Sequence, residues 1–151
     1  MNSLKKVSQK GFTIVELLIV IVVIGILAAL VITTYSGIQQ KGRNTERQTD
    51  LKAVQGQLEA YYAQNGAYPT LDNLNDNPTA DTGFIKKNMK GLDVEALRDP
   101  KADKGVYVLG SSVGDKQYAY EPTCDDSGCT AYTLTAKQEG DPANIVLKSL
   151  N

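Results

Sequence analysis

The sequence contains no histidine and no tryptophan among its 151 residues. Histidine is the commonest general base in enzymes and a frequent metal ligand, so its absence excludes many catalytic mechanisms. The 16 basic and 17 acidic residues nearly cancel, and no overall positive charge indicates a nucleic-acid-binding protein. Since no nucleophile motif is present either, we expect a protein that is not an enzyme.

Cysteine is also scarce: the chain has Cys124 and Cys129 alone, in the stretch CDDSGC. A zinc site would need two further ligands, usually Cys or His, and none exist. The glycine-containing loop suits a bridged turn, so we predict a disulfide and an oxidising, extracytoplasmic location; two reduced thiols are the alternative. In the chain-entropy model, closing so short a loop stabilises the fold by about 2 kcal/mol.

One long apolar run lies near the N-terminus. Residues 12–32 read FTIVELLIVIVVIGILAALVI, and Glu16 is their one charged residue. As a helix they would span about 32 Å, close to the ~30 Å hydrocarbon core of a bilayer. Lys5, Lys6 and Lys10 precede the run, which places the N-terminus on the cytoplasmic side. The run is longer than the apolar region of a signal peptide, so a retained single-pass helix is favoured.

Helical periodicity continues beyond this run. Asn65-Gly66, followed by Pro69, indicates the helix end, so we predict one helix over about residues 13–64. Its first half is apolar all round and its second half is amphipathic. The apolar positions of the second half are Leu51, Val54, Leu58 and Tyr61 or Tyr62.

The second half of the helix also carries charge pairs at close spacing. Arg43 and Glu46, and likewise Arg47 and Asp50, are opposite charges three residues apart. Such pairs add a little local support to a helix.

The remaining sequence predicts a loop followed by a small sheet. Residues 65–105 are rich in Asn, Asp, Gly and Pro and indicate a loop, with a brief helical turn at DVEALRDP. Turn signals at GSSVGD, PTCDDSGC and EGDP separate the strand-like runs that follow. We therefore expect an α+β fold in which an antiparallel meander covers the amphipathic half of the helix and the apolar half protrudes. The predicted strands are VYVL (106–109), QYAYE (117–121), TAYTLTAK (130–137) and NIVLKS (144–149).

The stretch KGFTIVELLIVIVVIGILAAL resembles the N-terminus of type IV pilins and pilin-like proteins. This resemblance implies a basic leader that ends at Gly11, cleavage between Gly11 and Phe12 by a prepilin peptidase, and N-methylation of Phe12. Glu16 matches the acidic residue that is fifth in mature pilins. The resemblance implies that Glu16 pairs with the Phe12 amine of a neighbouring subunit during assembly; snorkelling to the headgroups is the alternative. The chain departs from many type IVa pilins at Thr33, where they carry a proline, so no forced kink is expected there.

The resemblance implies three parts and a structural function. The chain would be a type IV pilus subunit, anchored in the cytoplasmic membrane and then polymerised into a surface filament for adhesion, twitching motility or DNA uptake. A pseudopilin of a type II secretion or competence system is the alternative within this fold, and a membrane-tethered binding domain that never polymerises is the alternative from another class. The parts are a removed leader (1–11), a transmembrane and filament-core helix half (12–37) and a globular head (38–151), with its amphipathic helix half to about 64, its loop at 65–105 and its sheet at 106–149.

The implied partners are other subunits and the assembly machinery. They are copies of the chain in a helical homopolymer, other pilins, the prepilin peptidase, the inner-membrane assembly platform and the cytoplasmic membrane. Some pilins assist DNA uptake, and Lys86, Lys87 and Lys90 form a dense basic cluster. After Gly11, however, 13 basic residues face 17 acidic ones, a net charge of −4, so we expect a solvated loop, with a nucleic-acid contact as the alternative.

Calcium is the one metal that the acidic loops bring into consideration. Asp99 and Asp103 lie in DPKADKG, and Asp125 and Asp126 lie in CDDSGC. Hard cations bind clustered carboxylates, and pseudopilins of type II secretion have a calcium site in this part of the fold. Neither stretch matches an EF-hand loop, and acidic surface turns are common. We therefore expect no cofactor, with calcium as the alternative.

Overall fold

The computed structural model describes residues 11–151, so the predicted leader and its lysines, Gly11 excepted, lie outside the described residues. The chain divides into two compact units, and the second comprises Gln40–Asn151. The elements are helices α1 (Ile14–Asn65), α2 (Leu71–Asn75) and α3 (Phe84–Asn88), a 3₁₀ turn (Val94–Leu97), and strands β1 (Ala119–Asp125), β2 (Gly128–Ala136) and β3 (Ile145–Lys148).

Helix α1 confirms the predicted long helix within one residue at each end. It is continuous through residue 33, as expected for a position without proline. At its C-terminus Gly66 adopts φ +74°, and its N–H donates to the Tyr62 carbonyl at 2.7 Å. Glycine reaches this left-handed conformation without steric cost, which explains why the helix stops there.

The core of the second unit is formed by α1, the sheet and the region between them. The predicted helix face is confirmed, because Leu51, Val54 and Leu58 are at most 1% exposed. On β2, alternate side chains are buried in the same cluster, including Tyr132 and Leu134. This helix-on-sheet packing confirms the predicted α+β architecture.

The hydroxyl group of each buried tyrosine in this core donates a hydrogen bond. Tyr118 donates to Asp50 at 2.8 Å, and Tyr120 donates to the Pro69 carbonyl at 2.7 Å. A buried hydroxyl without a partner would be destabilising, so these contacts fix where each ring can lie. Tyr132 and Tyr68 donate to the two carboxylate oxygens of Glu59, each at 2.8 Å.

The sheet is an antiparallel meander of three strands in the order β1-β2-β3. Tyr120 pairs with Leu134, and Leu134 pairs in turn with Leu147. The meander is therefore confirmed, but with three strands and not four.

The segment 106–109, predicted as a strand, forms no strand, and that prediction is wrong. Asn75 of α2 supplies the hydrogen bonds that a neighbouring strand would otherwise provide: its Oδ1 accepts from the Leu109 N–H at 2.9 Å, and its Nδ2 donates to the Leu109 carbonyl at 3.0 Å. Val106 and Val108 are 47% and 45% exposed. One carboxamide thus pairs both backbone groups of Leu109, at the end of a segment that forms no strand.

The stretch PTCDDSGC was expected as a turn, but most of it belongs to strands. β1 continues to Asp125 and β2 begins at Gly128, so the turn itself is Asp126-Ser127. Gly128 adopts φ +131°, which suits glycine at the end of the turn. Cys124 and Cys129 face each other across the hairpin and form the predicted disulfide.

The region 65–105 contains more helix than predicted. The brief turn at DVEALRDP is confirmed as the 3₁₀ turn, with Asp93 accepting from the Glu95 N–H. Helices α2 and α3 were missed. Thr70 and Asn73 form a capping box at the start of α2. Its spacing is the usual one, but Asn73 stands where the common pattern has Glu or Gln.

The expected pairs within α1 do not form, because both arginines bind residues distant in sequence. Arg47 is 1% exposed and makes a bidentate ion pair with Asp99, at 2.7 and 3.1 Å. Its remaining terminal nitrogen donates to Glu139 at 2.9 Å, and Arg43 binds the same carboxylate at 2.7 and 2.6 Å. This network, which we call the arginine network, joins α1 to the region before the sheet and to the connection between β2 and β3.

We expect Arg47→Ala to lower the free energy of unfolding by about 3–5 kcal/mol, because it leaves the carboxylate of Asp99 buried without a cation. The measurement is urea unfolding of the full chain in detergent, monitored by the circular dichroism of its tyrosines. Arg98→Ala is the control: its ion pair with Glu95 is more exposed and should contribute about 0–1 kcal/mol. Equal losses in the two variants would contradict a special role for the arginine network.

The arginine network also predicts acid sensitivity. Hydrogen bonds from Arg43, with a further contribution from Arg47, lower the pKa of Glu139 from 4.5 to about 2. A carboxylate with a lowered folded pKa stabilises the fold above its unfolded pKa, and the contribution is lost as the pH falls towards the folded pKa. We therefore expect wild type to exceed Glu139→Gln in melting temperature at neutral pH. The difference should shrink below about pH 4.5 and vanish near about pH 2; a constant difference would exclude this explanation.

Candidate processing and assembly site

The predicted cleavage site lies just before the first turn of α1. Gly11 and Phe12 precede the helix, and Phe12 is 76% exposed. A scissile bond inside a helix would have to unwind before a peptidase could bind its backbone, because helical N–H and carbonyl groups are already paired. The Gly11–Phe12 bond needs no such unwinding.

Thr13 and Glu16 form a capping box at the start of α1. The Glu16 N–H donates to the Thr13 hydroxyl at 3.2 Å. In return, Glu16 Oε2 accepts from the Thr13 N–H at 2.8 Å and from the Thr13 hydroxyl at 2.7 Å. These bonds satisfy donors at the helix N-terminus that have no helical partner. Both residues follow Phe12, so the cap remains after the predicted cleavage.

This capping role of Glu16 was missed from the sequence. The signal was present, since Thr-x-x-Glu before an apolar run is a capping-box pattern. The cap uses only one carboxylate oxygen: Oε1 accepts no hydrogen bond from any residue of 11–151. Glu16 is therefore oriented by its own chain while one oxygen is left for a cation.

The apolar segment that follows Glu16 is exposed along its whole length, from Leu17 to Ile32. Within residues 11–151, α1 is the one helix long and apolar enough to cross a membrane. Gly25, Ala28 and Ala29 leave room for a second helix to approach closely. Lipid and other helices are the two environments that suit such a surface, and the side on which the N-terminus lies stays a prediction.

The calcium candidates do not converge. Asp99 is bound by Arg47, and Asp125 accepts from the Ser127 N–H and hydroxyl. No group of three or more His, Cys, Asp or Glu side chains suited to a metal occurs in the described chain. The structure thus assembles no such site from Asp99, Asp103, Asp125 and Asp126.

The chain is similar to known proteins in its N-terminal segment and beyond it. Residues 6–32 match the family model for the prokaryotic N-terminal methylation motif. A type II secretion system core protein G from Vibrio cholerae is 34% identical over 137 residues, covering 80% of this chain and 90% of that protein. The chain belongs to the core protein G family. The proteins of the same name from Pseudomonas aeruginosa and Aeromonas hydrophila are 32% and 36% identical, covering 70% and 56% of this chain and 78% and 67% of their own lengths. No solved structure is significantly similar.

Membership of the core protein G family confirms the pilin-like resemblance. It also bears on the choice between a pilus subunit and a secretion pseudopilin. The three relatives are named as secretion-system proteins. The alternative of a type II secretion pseudopilin is therefore favoured over the pilus subunit. Adhesion, twitching motility and DNA uptake gain no support from these relatives.

We expect intact mass measurement of the chain from a host with prepilin peptidase to show a species that begins at Phe12 and is one methyl group heavier than the sequence. Gly11→Val should leave the leader attached, because a branched side chain then occupies the position before the scissile bond. Glu16→Gln is the matched control and should be cleaved, since the Gly11–Phe12 junction is unchanged. Cleavage after about residue 30, as for a secretory signal, would contradict the assignment.

Proposed function

We propose that this chain is a pseudopilin of a type II secretion system, made as a membrane-anchored precursor, cleaved and N-methylated at Phe12, and then polymerised. The observation that carries the proposal is the likeness to the Vibrio cholerae protein over 80% of this chain, which extends well beyond the N-terminal helix into the globular head. A match to the methylation motif alone would suit any pilin-like protein. The proposed role is structural, without catalysis or a resident cofactor.

The apolar half of α1 serves two successive environments in this proposal. Before assembly, residues 17–32 hold the subunit in the lipid bilayer. In the filament they pack against the same segment of other pilin-like subunits, where Gly25, Ala28 and Ala29 allow close contact. The prepilin peptidase and the membrane assembly platform are the further partners.

Glu16 supplies the register of this assembly. An unpaired charge in an apolar bundle is strongly unfavourable, so the carboxylate favours the arrangement that provides a cation. Cleavage creates such a cation, the amine of Phe12, and the amine of a neighbouring subunit is the proposed partner. The capping box contributes by holding Oε2, which fixes the direction in which Oε1 is presented.

Substitutions at residue 16 separate the charge from the cap. Glu16→Gln keeps an oxygen that can accept from Thr13 but removes the charge, whereas Glu16→Ala removes both. Thr13→Val leaves the charge and removes the capping hydroxyl, which costs about 1 kcal/mol. In a host strain that lacks the chain, we expect wild type to restore release of secreted proteins, both Glu16 variants to fail, and Thr13→Val to restore it in part.

Two outcomes would contradict these assignments. Full secretion with Glu16→Gln would show that assembly does not need the charge. Normal secretion in the deletion strain, together with loss of surface pili, would support a pilus subunit instead. Correct cleavage of each variant, checked by mass, ensures that a failure lies in assembly and not in processing.

A further inference from the structure

A polar groove of about 460 Å³ lies between the last turns of α1 and the segment that contains α3. Its volume is within the range of about 300–1,000 Å³ that is typical of small-molecule sites. Most of its lining is polar, in contrast to the apolar pockets that bind hydrophobic ligands. The side chains used below are those of Gln57, Tyr61, Gln64, Lys87, Asn88 and Lys90.

The charge in this groove is all of one sign. Lys87 and Lys90 both line it, and no carboxylate does. Neither ammonium group forms an ion pair or hydrogen bond with any residue in 11–151. The groove therefore offers two free cations to a ligand, although the chain after Gly11 carries a net charge of −4.

The uncharged groups of the groove suit a ligand with hydroxyl groups. Gln57 and Gln64 make no side-chain hydrogen bond within the described part of the chain, so each carboxamide can both donate and accept. Neighbouring hydroxyls on a sugar ring need this combination. The ring of Tyr61 provides an aromatic surface beside them, and it is held against Phe84 with 5.5 Å between the ring centroids.

The walls of the groove are held in place from beneath. Ile85 and Met89, on the inner side of the α3 segment, are fully buried, which fixes the backbone that carries Lys87 and Lys90. On the opposite wall, Gln57 lies directly over Gly91. A Cβ atom at residue 91 would be 2.7 Å from Gln57 Nε2, closer than van der Waals contact allows, so a side chain there would displace the Gln57 carboxamide.

We propose that this groove binds an acidic saccharide, a sugar unit that carries a carboxylate. The two ammonium groups hold the carboxylate, and the carboxamides bind the ring hydroxyls. A neutral sugar lacks the charge for the lysines, and a simple anion lacks the hydroxyls for the amides. Binding here does not depend on the proposed secretion role.

The test is calorimetric titration of the full chain in a polyoxyethylene detergent, whose headgroup is neither a sugar nor charged. The probe is trigalacturonate, and the matched neutral ligand is the same trimer with methyl-esterified carboxylates. Citrate serves as the anion without a sugar ring. We expect trigalacturonate to bind at least about tenfold more tightly than either, since one lost charge-assisted interaction costs about that factor.

Lysine variants locate the site. The double substitution Lys87→Gln and Lys90→Gln should weaken trigalacturonate binding at least about tenfold, and Gln57→Leu should weaken it without changing the charge. Lys86→Gln is the matched control, because Lys86 is exposed on α3 but does not line the groove, and it should bind like wild type. Circular dichroism of each variant verifies folding.

The outcomes that overturn the proposal are specific. Equal weakening by Lys86→Gln would indicate diffuse surface charge. Citrate binding as tightly as trigalacturonate would indicate simple anion attraction. Binding of the methyl-esterified trimer as tightly as trigalacturonate would exclude the role of the lysines. Absence of binding by wild type at millimolar trigalacturonate would exclude the site altogether.

Discussion

The buried ion pair between Arg47 and Asp99 is the contact on which the arrangement of the head depends. Both side chains are almost completely excluded from solvent, so neither charge is tolerated without the other. The two residues are 52 positions apart, and Glu139 joins them from beyond β2. One guanidinium therefore ties the helix, the region before the sheet and the connection to β3 into a single arrangement.

Glu16 presents the same electrostatic problem with a different solution. Arg47 finds its carboxylates inside its own fold, but Glu16 lies on an exposed apolar helix and, among residues 11–151, has its side chain bound only by Thr13. A capping box satisfies hydrogen bonds without neutralising the charge. The buried charges of the head are thus paired within one subunit, whereas the proposed role of Glu16 is completed only by another subunit.

Side chains also replace regular structure in the head. Asn75 holds the backbone at Leu109 as a neighbouring strand would, which explains how a region without a fourth strand still positions its chain. Glu59 acts similarly for the core tyrosines, because one carboxylate accepts from both Tyr68 and Tyr132. Such contacts bring together residues far apart in sequence, and no local pattern indicates them.

The sequence alone determined the features that depend on neighbouring residues. The helix and its end at Asn65-Gly66, the apolar segment, the three strands of the meander and the disulfide all follow from periodicity, turn chemistry or composition, and the motif around Glu16 indicated the family. Only the tertiary structure decided the partners of Arg47, the fate of 106–109 and the groove beside Lys87. Each of these depends on which distant groups meet when the core forms, because burial selects a partner for every charge and backbone group wherever in the chain it lies.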